Sequence, residues 1–272
     1  MAEPNILFDL DRRGIATVTL NRPLRNNAYN RELLETANEL LEQAESNDSI
    51  RLILLRGNGK HFQAGVDLDW AAELAAGSTA DNYSASRLTT EFVRNLDNCS
   101  KPVIALVHGA VIGGGTGIVA ACDIVIASTN TFFAISEARW GLVANPIFPQ
   151  LQNAIGARNL RRYALTCERF DAQRAREIGL VHEVCEHENL LEVAQPLIEG
   201  LLRAGPEALL KSKSAITQLC NDPIDESSWQ QLIKTHATKR LSAEAAEGIS
   251  SFKEKRDPNW YPKLGGRTTR SH

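Results

Sequence analysis

The segment Lys101–Ser128, KPVIALVHGAVIGGGTGIVAACDIVIAS, sets two short apolar runs around a glycine triplet, and few architectures accommodate that order. Val103–Val107 has no polar side chain and is too short for a stable helix, so it reads as a strand buried on both faces. Gly109 turns the chain, and Gly113, Gly114 and Gly115 then open an apolar helix that leads to a second strand, Ile124–Ala127. Buried strands of this kind belong to an α/β sheet covered by helices. Glycines at a strand-to-helix corner let the backbone approach a ligand, and the N–H groups that begin a helix attract negative charge. A phosphate or an oxyanion fits such a corner; so does plain close packing of a helix on a sheet.

One pattern here is a decoy. Gly115-Thr116-Gly117-Ile118-Val119-Ala120 matches G-x-G-x-x-A, with Glu137 roughly 20 residues further on, as a dinucleotide fingerprint requires. The preceding strand ends near Val107, however, and HGAVIGG stands where a tight turn should be.

Upstream, Ile6–Leu10 and Ile15–Leu20 flank the turn-forming Asp11-Arg12-Arg13-Gly14 and read as a hairpin. Leu33, Ala37, Leu40, Leu41 and Ala44 form one stripe of an amphipathic helix, and Arg51–Arg56 reads as an apolar strand. A second glycine corner follows in GKHFQAGVDLD, where Val66 can offer a free N–H and Asp67 can cap the next turn. Ala71–Tyr83 is rich in Ala, Gly and Ser and reads as a soft connection before another helix. Phe132–Ile135 and Leu180–Val184 are strand candidates, and Asp171 is a plausible cap for a helix ending near Gly179. Helical patterns then cover Leu190–Arg203, Pro206–Leu219 and a broken Glu226–Lys255. The expected layout is a core over 1–190, a helical region over 191–262 and a frayed tail over 263–272.

Composition narrows the classes. The chain has 272 residues and a net charge of −3, too little positive charge for a field that wraps nucleic acid. No apolar run approaches the ~20 residues of a membrane span, and the first residues carry no secretory pattern. Five scattered cysteines, never spaced C-x-x-C, suggest free thiols and a cytoplasmic setting. His182-Glu183-x-x-Glu186-His187 puts its second histidine at i+5, off the first one's face, so no metal is expected. His61 and His108, beside the two glycine corners, read as locally hydrogen-bonded.

Together the two corners resemble the crotonase (enoyl-CoA hydratase/isomerase) superfamily. The resemblance runs from NRPLRNNA (Asn21–Ala28) through HFQAGVDL (His61–Leu68) and the Lys101–Ser128 segment to FAISEARWGL (Phe133–Leu142). It continues in TCERFDAQRAREIGLVHEV (Thr166–Val184) and FKEKRDPNW (Phe252–Trp260). It implies an α/β, ClpP/crotonase-like ββα spiral with a C-terminal helical trimerisation region, forming a homotrimer or a hexamer of paired trimers. It also implies an acyl-CoA thioester as substrate, with no cofactor beyond that CoA.

By the same resemblance, the Val66 and Gly114 N–H groups hold the thioester oxygen and Glu137 does acid/base work. Where two-glutamate hydratases carry their other carboxylate, this chain has Gly117. Substrate and CoA contacts fall on Arg25, Ala28, Ala64, Asp67, Leu68, Gly113, Gly117, Trp140 and Asn145, with Arg22 another basic residue near the CoA phosphates. Phe252 and Lys255 fall where relatives reach a neighbouring subunit's CoA. The implied reaction is addition of water to a 2-enoyl-CoA, with SEARWGLVANPIFPQL closest to hydratases for branched or carboxylated acyl groups. SEARWG also resembles hydroxycinnamoyl-CoA hydratase-lyases. An enoyl-CoA isomerase and an inactive acyl-CoA-binding relative are the other readings. Dehalogenases of the superfamily need an aspartate where Asn145 stands.

Overall fold

The structure, a computed structural model, describes residues 3–221 and 225–262. The tail expected at 263–272 lies outside the described residues. The hairpin forms β1 (Ile6–Leu10) and β2 (Ile15–Leu20), closed by Asp11, whose carboxylate accepts the Arg13 and Ile15 N–H groups. Asn30 caps α1 (Arg31–Ser46) by accepting from Leu33 N–H. Leu33, Leu34, Ala37, Leu41 and Ala44 of α1 are buried, with Leu40 half-buried beside them. β3 follows at Leu52–Gly57.

The soft connection expected over Ala71–Tyr83 is helical instead. It is divided between α2 (Leu68–Ala76), capped by Asp67, and α3 (Thr79–Asn98), where Ser78 and Asp81 form a reciprocal capping box. Two caps and an alanine-rich interior outweigh the low hydrophobicity of the stretch.

Next come β4 (Val103–Val107), β5 (Ala110–Ile112) and α4 (Gly114–Ala120), then β6 (Ile124–Ser128) and β7 (Phe132–Ala134). The residues that spoil a dinucleotide turn are thus a strand of their own. α5 (Phe148–Thr166), β8 (Phe170–Asp171), α6 (Ala172–Glu177) and β9 (Glu183–Cys185) complete the core, and Asp171 caps α6 as expected. The strand expected over Leu180–Val184 begins only at Glu183. Leu180 and Val181 are buried in the approach, and His182 ties it to β6 by exchanging hydrogen bonds with the Val125 backbone.

The strands form a six-stranded sheet, β1-β2-β3-β4-β6-β9, parallel except for the hairpin, and a three-stranded sheet, β5-β7-β8. Their registers reveal the spiral. β4 pairs in parallel with β6 while β5 pairs in parallel with β7, so one strand-strand-turn unit stacks on the next. The preceding unit joins through a parallel bridge between Gln63 and Val111.

One face of the large sheet packs on α1 and α3. The other is covered by α7 (Leu190–Arg203), whose Leu190, Ala194, Ile198 and Leu202 meet Leu52, Leu54, Ile104, Leu106 and Ile126. Each leucine or isoleucine side chain so removed from water contributes ~1.5–3 kcal/mol. Beyond α7 lie α8 (Pro206–Asn221), α9 (Glu226–Arg240) and α10 (Ala243–Glu254), the last two separated at Leu241-Ser242. Asp123 ties this region to the core: its carboxylate accepts from Val103 N–H and from Lys213 Nζ.

Candidate active site

The spiral explains why Val66, Gly114 and Glu137 meet. Gln63, Val111 and Phe133 stand on one register line across three successive turns. Val66 and Gly114 each lie three residues beyond that line, and Glu137 lies four. Three residues far apart in sequence thereby occupy equivalent corners of stacked units.

Backbone planarity aims the first two. Gly65 C=O accepts Tyr29 N–H. Across the trans peptide the Val66 N–H therefore points away from Tyr29, toward the edge along which β5 and Gly113 run. Gly113 C=O accepts both the N–H and the hydroxyl of Thr116. The Gly114 N–H consequently points back out of α4, where the first N–H of a helix has no partner within it. Gly113 itself has φ +56° and ψ −124°, a conformation for glycine, and its N–H donates to Ala134 C=O of β7. Gln63 grips the other corner: its buried amide accepts from Gly65 N–H and donates to Gly65 C=O.

Glu137 opens a single 3-10 turn, Glu137–Trp140, directly after β7. A Cβ placed on Gly113 would lie 2.8 Å from Glu137 Oε1, so the carboxylate rests on the glycine that precedes the outward Gly114 N–H. Burial pushes the Glu137 carboxyl above the ordinary carboxylate range, opposed by bonds from its own and the Ser136 N–H. Its Oε2 is buried and has no hydrogen-bond partner among the described residues.

Tyr29 is a neighbour that sequence reasoning missed. A Cβ on Gly114 would lie 2.6 Å from its Cε1 and 2.8 Å from its hydroxyl. Its phenol is pushed up by burial and by the Glu137 carboxylate. Ile147 is another. A Cβ on Gly117 would lie 2.1 Å from Ile147 Cγ2, so apolar packing fills the place of a second carboxylate.

The remaining expected contacts divide. Asp67 does not present a free carboxylate: it is 6% exposed, pairs with Arg22 at 2.7 Å and caps α2 through Asp69 N–H. Against burial, which raises it, the Arg22 and Asp69 bonds hold its carboxyl below the usual range. Arg22 is correspondingly spent on Asp67 and on Ala28 C=O rather than left for a phosphate. Ala28 is buried, and Ala64 donates to Asn26 C=O, so both belong to the same braced corner. Gly117 is buried under Ile147 and offers no open surface.

Arg25 remains exposed, paired with the exposed Asp69. Leu68, Trp140 and Asn145 are exposed, as are the apolar Leu142 and Val143. Phe252 and Lys255 sit away from these residues in the chain, lining a groove with Arg203, Arg256 and Trp260. His61 and His108 are hydrogen-bonded, but across the two corners rather than locally: His61 Nδ1 accepts Ala110 N–H, and His108 Nε2 bonds Gly59 C=O. Among the described residues no cluster of three or more His, Cys, Asp or Glu could hold a metal ion, and no helix is long and apolar enough to cross a membrane.

Known proteins carry the same arrangement of chain. An enoyl-CoA hydratase from Shewanella pealeana superposes with a TM-score of 0.89 at 34% identity, covering 94% of this chain and 96% of that one. A 1,2-epoxyphenylacetyl-CoA isomerase of Escherichia coli K12 is 33% identical over 92% of this chain and 96% of its own length. A 2,3-dehydroadipyl-CoA hydratase of the same organism is 30% identical, again over 92% and 96%. The model of the enoyl-CoA hydratase/isomerase family matches residues 11–263. On the crotonase fold, its registers and this match, the chain is an enzyme of the enoyl-CoA hydratase/isomerase family.

Proposed function

We propose that the chain adds water to the double bond of a 2-enoyl-CoA, using Glu137 as its single carboxylate. The observation that carries this reading is the seating of the Glu137 carboxylate against Gly113, next to the outward Gly114 N–H. Water gives a proton to Glu137 as its oxygen bonds to the β-carbon. The π electrons shift to form an enolate whose thioester oxygen accepts from Val66 and Gly114 N–H. Glu137 then returns the proton to the α-carbon. Donors fixed in the backbone lose nothing to reorganisation as the charge develops, and one such donor is worth roughly 3–4 kcal/mol. No cofactor enters; CoA arrives with the substrate.

The exposed Leu68, Trp140, Leu142 and Val143 favour a branched or otherwise bulky acyl group over a short straight one. Carboxylated acyl groups belong in the same panel, given the dehydroadipyl-CoA relative. Isomerisation is the second reading, favoured by Ile147 at the place of a second carboxylate, because one base suffices to carry a proton between two carbons. Exposed Ile216, Trp229, Ile233, Leu241, Ile249 and Phe252 suit burial between subunits of a trimer or a hexamer. In that assembly Phe252 and Lys255 serve a neighbour's CoA. The cytoplasm suits this reading, since Cys99 and Cys122 are buried free thiols.

The test is a panel of straight, branched and carboxylated 2-enoyl-CoA thioesters, followed by loss of conjugated absorbance and by mass gain of one water. Glu137→Gln is expected to lower kcat on the best substrate by about 10²–10⁴. Equal rates for the two proteins would overturn the acid/base role, and a shifted double bond without mass gain would select isomerisation.

A further inference from the structure

Tyr29 joins the two N–H corners through its backbone and its side chain at once. Its N–H and C=O bond Gly65 and Asp67, on either side of Val66, while its ring lies against Gly114. The ring is pinned edge-on by Trp70, with centroids 6.2 Å apart and planes at 74°. Trp70 is buried on α2, so the phenol has little freedom to swing. Its hydroxyl rests against Gly114 as the Glu137 carboxylate rests against Gly113, and consecutive Cα atoms are only ~3.8 Å apart. The polar ends of both side chains thus gather over one peptide unit, the one that supplies the Gly114 N–H. Glu137 Oε2 remains buried there without a partner among the described residues, and a buried lone oxygen of this kind calls for a donor.

We infer that Tyr29 is a second catalytic side chain, whose hydroxyl hydrogen-bonds the reacting water while Glu137 takes that water's proton. This deepens the hydratase reading and rests on it. The water oxygen accepts from Tyr29 O–H, donates to Glu137, and uses its other lone pair on the β-carbon. Tyr29 keeps its proton throughout, so the proton count of the hydration is unchanged. Because Ile147 fills the space over Gly117, the phenol supplies from the Val66 side the second hold on water that no carboxylate supplies from α4.

A consequence separates this role from packing. The oxygen of the reacting water becomes the 3-hydroxyl of the product, so the hydroxyl that holds one must hold the other. Tyr29→Phe keeps the ring and its Trp70 contact and removes only the donor. Calorimetric binding of 3-hydroxybutanoyl-CoA is expected to weaken about tenfold, the loss of one hydrogen bond, while butanoyl-CoA binding stays within twofold. On the best enoyl-CoA substrate kcat is expected to fall about ten- to a hundredfold with KM little changed.

Equal affinity of wild type and Tyr29→Phe for the 3-hydroxy ligand overturns the inference. So does equal weakening of both ligands, which would mark Tyr29 as packing alone. If wild type hydrates no thioester in the panel, the hydratase reading falls, and the two binding measurements still decide the Tyr29 contact.

Discussion

Gly113, the N-cap of α4, and Gly117, about one helical turn further along, meet opposite chemistry. At Gly113 the backbone adopts a glycine conformation, the next N–H points outward, and a carboxylate and a phenol crowd the two Cα atoms. At Gly117 the neighbour is Ile147, 2% exposed and in direct contact. Glycine serves the first place by permitting a conformation and the second by making room for a side chain. The difference teaches that the second carboxylate has not been deleted to leave a hole. Its space is part of the packed core, and the chemistry must proceed with what remains at Gly113.

The largest effect should come from Gly113→Ala. With φ at +56°, an L side chain is strained by roughly 1–3 kcal/mol. Its methyl group would also meet Glu137 Oε1 at 2.8 Å and push the carboxylate off its seat. Loss of a positioned base together with a rotated oxyanion donor predicts a fall in kcat of at least about 10³. Steady-state rates beside a thermal melt check this. A variant that melts lower yet keeps its kcat would show that Gly113 contributes conformation alone.

Gly117→Glu probes the packed position in the middle of α4, where the effect should appear in stability. A Cβ there sits 2.1 Å from Ile147 Cγ2, so overpacking costs about 1–3 kcal/mol before the burial of a charge is added. Ile147→Ala alone costs about 2–5 kcal/mol by leaving a cavity. Combined, each change relieves the other, and the double variant should be more stable than the summed single losses by about 1–3 kcal/mol. Denaturant melts of the four proteins measure that coupling. Strict additivity would mean that Ile147 does not occupy the space of a carboxylate at 117.

The surroundings of these two glycines differed in how far the sequence revealed them. Val103–Val107 was legible because a strand covered on both faces must be apolar throughout. Ala110–Ile112 was not, because three residues between glycines carry no periodicity and become a strand only by pairing with Phe132–Ala134. The body of α2 and the first turn of α3 were hidden by their alanine and serine content, although Asp67 was legible as a cap and the Ser78–Asp81 box was there to read. Glu137 and Gly114 came from motifs. Tyr29, Gln63 and Ile147 came only from tertiary placement, since nothing local tells a tyrosine before α1 that its ring will rest on a glycine 85 positions later. The Arg22–Asp67 pair shows the converse hazard: two charged residues suited to a ligand satisfy each other.

The smallest effect is in pH. Burial, the dominant influence on Glu137, holds its carboxyl above the ordinary value of ~4.3, and the N–H groups of Ser136 and Glu137 only partly offset it. A base must be ionised, so kcat/KM should fall as pH drops through that raised value, placing the acid limb above where an exposed glutamate would put it. For stability the dependence is the reverse of that for activity. The folded chain binds this proton more tightly than the unfolded chain, so the contribution is fully present below the ordinary value and is lost as pH rises through the folded one. Glu137→Gln should therefore melt slightly higher than wild type near neutrality and match it in acid. The apolar contact at Gly117 supplies the control: Ile147→Ala removes no titrating group, so its deficit should stay constant across the same range. A pH-independent gap for Glu137→Gln would mean that the carboxylate at Gly113 is as well solvated as one on the surface, and the contrast between Gly113 and Gly117 would then be one of shape only.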